Sequence, residues 1–402
     1  MSRHVLFVLT HSPFDCASGA AISTRTVAEM LAGQGYEVMV LGVTAVEGAA
    51  GAEDHVSEMT QMGVGLAARK IDGVTVYEGR HRGVDYALLK TGGCPTDWMH
   101  DTRAADTFEQ ILVGILSAYQ PGAVMTYGGS ERGWNWINII KGSGAAIILL
   151  IHNMAYNDAS YFEAADLVVV PSQYAANEYN GKLNAECVGL GLPIDRASVV
   201  NEASDERVFV TMVNPSVEKG LWVVAQLAEV LGERRPDIPV LIIEGRGTGG
   251  MLLEAGRMGG FDLGRHESLM FSGPVSDMRE VYGVSRMVLM PSVIAESGGR
   301  VAAEAMMNGL PALVSDRGAL PEIVGQGGFV LPMPEQVTLK MDRPVECEVV
   351  TAWVNLIEKL TDDEVFYTDA SRRAAEEAVK FDPAEVCERF VERLEQVLTI
   401  PG

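Results

Sequence analysis

Two carboxylates, Glu296 and Glu304, flank the glycine-bearing stretch Ser297-Gly298-Gly299-Arg300-Val301. The residues before it, Met287-Val288-Leu289-Met290, form an apolar run that reads as a strand, and those after it are rich in Ala and Met up to Asn308-Gly309 and read as a short helix. A loop with glycines at a helix start presents unpaired backbone N–H groups at the electropositive end of the peptide dipoles, which is a seat for phosphate. Acids beside such a seat repel the ligand unless they face its neutral parts, and a carboxylate accepts hydroxyl protons with charge-assisted strength. Glu304 lies more than one turn into the helix, about 9 Å further along at ~1.5 Å per residue. A ligand with a sugar, a diphosphate and a ribose has the matching layout.

An acid in the first turns of a helix is stabilising in its own right, and strand–glycine–helix units occur in most α/β proteins, so this geometry alone does not select the ligand. The spelling narrows it. Pro291-Ser292-x3-Glu296-Ser297-x-Gly299-x-Val301-x2-Glu304-Ala305-x3-Gly309-Leu310-Pro311, followed by Ser315-Asp316-Arg317-Gly318-Ala319-Leu320-Pro321-Glu322, resembles the donor-site signature of retaining glycosyltransferases of family 4. The resemblance implies an α/β chain of the GT-B fold: two Rossmann-like, doubly wound parallel-sheet domains with a cleft between them. It places an acceptor-binding domain at residues 1–198, a nucleotide-sugar domain at 199–381, and a helix at 382–402 that crosses back onto the first domain.

The elements that must position these residues alternate strand and helix. Residues 4–10 read as a buried strand, followed by a polar loop, a helix over 21–33 and a strand over 37–43. G-x-G-x-x-G is absent from that loop, which disfavours a dehydrogenase. The family resemblance expects a Gly-Gly pair there, for which Gly19-Ala20 stands in. Residues 45–65 show little periodicity and read as a loop, with a strand over 73–77, a helix over 106–119 and a strand over 123–127 ending at Gly128-Gly129-Ser130. Trp134 and Trp136 are weighed as core against an acceptor-pocket lining. Residues 145–151 form an apolar strand that delivers His152 to its carboxyl end, where the family carries a histidine that reaches the donor sugar. In the second half, strands over 207–213, 239–244, 269–272, 287–290 and 312–315 repeat the pattern.

Lys219 sits in the loop before a helix over 221–231 and is a point charge suited to a diphosphate. The family usually supplies an arginine five residues earlier, where this chain has Asn214; Arg300 or Arg246 in Gly245-Arg246-Gly247 is expected to compensate. The resemblance further gives Val275 a contact with the base, and it leaves Gly298 where an aromatic residue is usual. The expected catalytic set is Glu296, His152 and Lys219, with Gly19, Asn214, Gly245, Arg246, Val275, Ser297, Gly298, Gly299, Arg300, Val301 and Glu304 completing the donor site.

Composition sets the class. The chain of 402 residues is 48% hydrophobic and 21% charged, which is globular and long enough for two α/β domains. A net charge of −23 disfavours nucleic acid as partner, and a patch at Arg69-Lys70 with Arg80 and Arg82 reads as a solvated face rather than a membrane surface. Five scattered cysteines (Cys16, Cys94, Cys187, Cys347, Cys387) lack metal-ligand spacing and suit a cytoplasmic protein with reduced thiols. No run reaches the ~18 apolar residues of a membrane span.

The implied reaction is retaining transfer of a hexosyl or related group from a nucleotide-diphosphate sugar, UDP-linked first and GDP-linked second, to a hydroxyl on a saccharide, lipid-linked or small-molecule acceptor. Neither a cofactor nor a metal is demanded, since cations and amides neutralise the leaving diphosphate and no Asp-x-Asp pair is evident. The alternatives are a GT-B nucleotide-sugar 2-epimerase and a non-catalytic sugar-nucleotide-binding protein.

Overall fold

The computed structural model describes residues 3–47, 52–92, 97–127, 131–203 and 206–399. Cys94 and Gly128-Gly129-Ser130, where the strand over 123–127 is expected to end, lie outside the described residues. The chain divides into two compact units, Met1–Pro193 together with Pro383–Gly402, and Ile194–Asp382.

Among the described residues the first unit is built on nine strands: β1 (His4–Val8), β2 (Glu37–Val43), β3 (Gly65–Ile71), β4 (Val74–His81), β5 (Val84–Leu89), β6 (Ala123–Thr126), β7 (Ala146–Leu150), β8 (Leu167–Val170) and β9 (Cys187–Gly189). Their order in the sheet is β3-β4-β5-β2-β1-β6-β7-β8-β9. Every pairing is parallel except β3 with β4 and β4 with β5. Those two hairpins turn at Asp72-Gly73 and Arg82-Gly83, with positive φ at both turn residues of each, the two-residue geometry that matches strand twist. The sequence pattern shows only part of β4, because β3 is exposed over most of its length and has no buried face to announce it. The stretch expected as a loop over 45–65 contains a helix, Ala52–Gln61. Met59 and His55 of that helix are buried, and the His55 ring is 2.6 Å from Ser12 Oγ.

Helix Pro383–Thr399 belongs to the first unit. Its Phe390 and Leu394 pack with Val27, Ala28 and Leu31 of helix Gly19–Gly33. The two units meet in the chain at Pro193/Ile194. The short helix Arg196–Val199 therefore belongs with the second unit, where Asn308 Nδ2 donates to the Val199 carbonyl at 3.0 Å.

The described residues of the second unit carry six strands: β10 (Phe209–Val213), β11 (Val240–Ile243), β12 (Leu269–Ser272), β13 (Ser285–Met290), β14 (Ala312–Ser315) and β15 (Phe329–Leu331). The order is β12-β11-β10-β13-β14-β15, parallel throughout. Counted within the unit this is the doubly wound order 3-2-1-4-5-6, whose direction reverses between β10 and β13. Beyond the carboxyl ends of those two strands lie the Lys219 loop and the Glu296 loop. Among the described residues no helix is long and apolar enough to cross a membrane.

Candidate functional site

At the end of β10 the chain enters the left-handed region at Asn214, φ +58°, which asparagine tolerates better than most side chains. Asn214 Oδ1 accepts the N–H of Gly247 at 2.7 Å and so ties this turn to the one after β11. That role explains why asparagine stands there, and it leaves no cation at the position. The loop closes at Gly220, φ +94°, where a Cβ would lie 2.2 Å from the Pro291 carbonyl oxygen. Only glycine lets the two loops approach so closely. Val293 then donates its N–H to the Glu218 carbonyl at 3.0 Å, which registers one loop against the other.

The consequence is a cross-loop ion pair. Lys219 Nζ is 2.6 Å from Glu296 Oε1, with side chains 23% and 12% exposed. Ser292 Oγ donates to the same oxygen at 2.5 Å. The backbone beneath Glu296 is held as well: Ala319 N–H donates to the Glu296 carbonyl at 2.8 Å. Gly318 packs against it where a Cβ would come within 2.3 Å. Ser315 Oγ donates to the Ser292 carbonyl at 2.7 Å.

Ser297, Gly298 and Gly299 are buried and lead into helix Arg300–Met307, which Gly299 caps without a side-chain hydrogen bond. Gly299 has no side chain with which to cap the helix, and the amides of Arg300 and Val301 stand at its electropositive end. Glu304 is 5% exposed. Arg300 Nε stands 2.6 Å from its Oε1, and Tyr282, fully buried, donates its hydroxyl to Oε2 at 2.7 Å. Burial, with the Glu304 charge adding to it, pushes the Tyr282 pKa far above that of an ordinary phenol. Each of the two acids is thus matched by a cation of the chain.

Arg300 is therefore placed beside Glu304. Arg246 is exposed on the turn after β11. A hydrogen bond from its own N–H holds the nearby Glu218 carboxyl below the usual range, and the charges of Arg246 and Lys219 contribute. Gly245 stands on the same turn, and Val275 is half-buried beyond the end of β12.

Gly19 and His152 belong to the first unit. Gly19 opens helix Gly19–Gly33, whose cap is Ser18. His152 follows β7 with Nε2 3.1 Å from Thr24 Oγ1, and Tyr127, beyond β6, donates to the same Thr24 oxygen at 2.8 Å. The Tyr127 ring stacks on His11 at 4.9 Å and meets His152 edge-on at 5.5 Å. Burial lowers the His11 pKa, against a smaller opposing pull from Asp15, and raises that of Tyr127. Trp136 lies in the core against Trp98 and Phe108, while the partly buried Trp134 stacks on Tyr161.

Tyr282, Thr24, Tyr127 and His11 escaped the sequence reading as site residues, and Ser292 stood in the quoted motif without a role of its own. Ser292, four residues before Glu296 in the same motif, could have been found from that spacing. Tyr282 reaches Glu304 from a different element and leaves no local signal.

Residues 206–345 match the family model for glycosyl transferases group 1. The chain carries a glycosyl transferases group 1 domain. This group 1 domain contains the Lys219 loop, the Glu296 motif and Glu304. No curated protein matches the sequence, but solved structures resemble the whole chain. A glycosyltransferase from Rickettsia africae ESF-5 has a TM-score of 0.70 at 13% identity, with all of both chains covered. Sucrose-phosphate synthase from Thermosynechococcus elongatus has a TM-score of 0.69 at 16% identity, over 98% of this chain and 99% of that one. HepE from Anabaena, solved with UDP and glucose, has a TM-score of 0.67 at 15% identity, again over 98% and 99%. The fold is GT-B, with the group 1 domain in the second unit.

Proposed function

We propose that this protein is a retaining glycosyltransferase of family 4 that moves a hexosyl or related group from a nucleotide-diphosphate sugar to a hydroxyl acceptor. The observation that supports it most is the Lys219–Glu296 pair at the point where the strand order of the second sheet reverses, the position at which doubly wound sheets bind ligands. A UDP-linked donor leads and a GDP-linked donor follows; the UDP and glucose bound to HepE support the first.

In this reading the diphosphate meets the amides that open helix Arg300–Met307, together with Lys219. Glu296 holds the hydroxyls of the transferred sugar, and Glu304 those of the ribose. The second unit holds the donor, and acceptor binding falls to the first. The bond from the anomeric carbon to the phosphate oxygen breaks while the acceptor oxygen bonds to that carbon on the same face. The acceptor proton passes to the departing phosphate oxygen. Glu296, holding hydroxyls, is not available as a nucleophile for double displacement, and the catalytic contribution is stabilisation of charge growing on the diphosphate. Lys219 already neutralises Glu296, so an arriving diphosphate exchanges one anionic partner of the lysine for another or adds to it.

The test is a thermal-shift screen against UDP-, GDP-, ADP- and dTDP-sugars, followed by NMR of the product formed with the stabilising donor. The expected result is a glycoside whose anomeric configuration equals that of the donor. An inverted product rejects retention, and an epimerised sugar released from donor alone rejects transfer.

A further inference from the structure

A carboxylate offers about four lone-pair sites, two on each oxygen. In Glu304 the Arg300 guanidinium stands at Oε1 and the Tyr282 hydroxyl at Oε2, at 2.6 Å and 2.7 Å. The Arg300 contact is an ion pair whose Nε lacks hydrogen-bond geometry, so at least one site on each oxygen is left, on a group that is not free to turn: Tyr282 is fully buried, and the Arg300 and Glu304 side chains are 12% and 7% exposed. The terminal torsion of a glutamate is otherwise broad, so an unheld carboxylate would present its oxygens over a wide range of angles. Two neighbouring ribose hydroxyls form a two-donor partner that matches one fixed acceptor site on each oxygen.

We propose that Tyr282 is a positioning residue that fixes the Glu304 carboxylate from inside the protein, with Arg300 fixing its other oxygen, and that the two together make the site select ribonucleotides over 2′-deoxyribonucleotides. This rests on the donor-site reading above and assigns to Tyr282 and Arg300 a task in specificity. Because burial keeps the Tyr282 phenol protonated well above ordinary pH, its donor role holds across the working range. The same geometry separates two roles for Arg300. As a holder of Glu304 it acts on the ribose; as a clamp on phosphate it would act equally on every nucleoside diphosphate.

The experiment is calorimetric titration of the full chain, as wild type, Tyr282→Phe and Arg300→Met, with UDP and 2′-deoxy-UDP, and with the corresponding ADP and GDP pairs. Wild type is expected to bind the ribonucleotide about tenfold more tightly than its 2′-deoxy partner, the scale of one hydrogen bond to a charged group. Each variant should bring that ratio to within about threefold while the 2′-deoxy dissociation constant moves by less than about twofold. Should Tyr282→Phe fail to fold, Arg300→Met reads the same ratio. No ribose preference in wild type overturns the proposal together with the ribose role of Glu304, and leaves the diphosphate seat standing. A ratio kept in the variants or an equal loss for both nucleotides overturns the proposal while leaving the donor-site reading in place. No binding of any of the six nucleotides by wild type overturns both.

Discussion

The two sheets present the same kind of reversal point with different chemistry. Beyond β10 and β13 the second unit gathers full charges, Lys219 against Glu296 and Arg300 against Glu304. Beyond β1, β6 and β7 the first unit gathers groups that mainly offer hydrogen bonds: His11, whose pKa burial lowers, the Tyr127 hydroxyl, Thr24 and His152, with the buried Asp15 as the charge that acts on His11. A diphosphate needs cations and amides, whereas a hydroxyl acceptor needs donors and acceptors of hydrogen bonds with little field. The same topology can therefore serve an anionic ligand or a neutral one, according to the side chains delivered to its carboxyl edge.

Breaking the charged half should have the largest effect. Glu296→Ala is expected to lower kcat by roughly 100-fold with donor affinity changed less than about threefold, because the sugar loses its orientation while Lys219 gains freedom to meet phosphate. Steady-state kinetics beside calorimetry of the same variant separate the two terms; equal losses in both would remove Glu296 from the sugar. Glu304→Ala should raise the donor KM by about 10- to 100-fold, consistent with ~1.5–3 kcal/mol for a hydrogen bond to a charged group. Lys219→Met should weaken nucleoside diphosphate binding by about tenfold, with nucleoside binding unaffected in a competition assay.

The hydrogen-bonding half should respond more weakly and in different observables. His152→Ala is expected to lower kcat by about tenfold and to leave the dissociation constant of the nucleoside diphosphate unchanged, the scale of one hydrogen bond; a loss of nucleotide affinity would erase the contrast. The folded-state pKa of His11 lies below the usual 6.5, so the native state binds fewer protons than the unfolded one and stability falls as pH drops through that value toward the folded pKa. Melting curves between pH 5 and pH 7 should therefore be flatter for His11→Gln than for wild type.

The charged half was also the more legible in sequence, for a physical reason. Its acids, glycines and helix share one continuous stretch from Pro291 to Pro311, so spacing alone orders them, and Lys219 is marked by its own strand–loop–helix setting. What escaped were contacts made across the chain. Tyr127 meets Thr24, and Tyr282 meets Glu304, only once separate strands and helices have been brought together. The β3–β4–β5 hairpins carried a local signal in Asp72-Gly73, but exposed strands without strict alternation hid what that turn connects. Helix Ala52–Gln61 was unreadable for a similar reason, since a buried histidine supplies part of its inward face.

Helix Pro383–Thr399 gives the chain a particular order of completion. Phe390 and Leu394, which cover Leu31, are synthesised after all of the residues 194–382. On the ribosome the later unit can finish folding while the earlier one still exposes an apolar patch awaiting its last piece. Damage to helix Pro383–Thr399 should accordingly be felt by a part of the chain made much earlier and far from it in sequence.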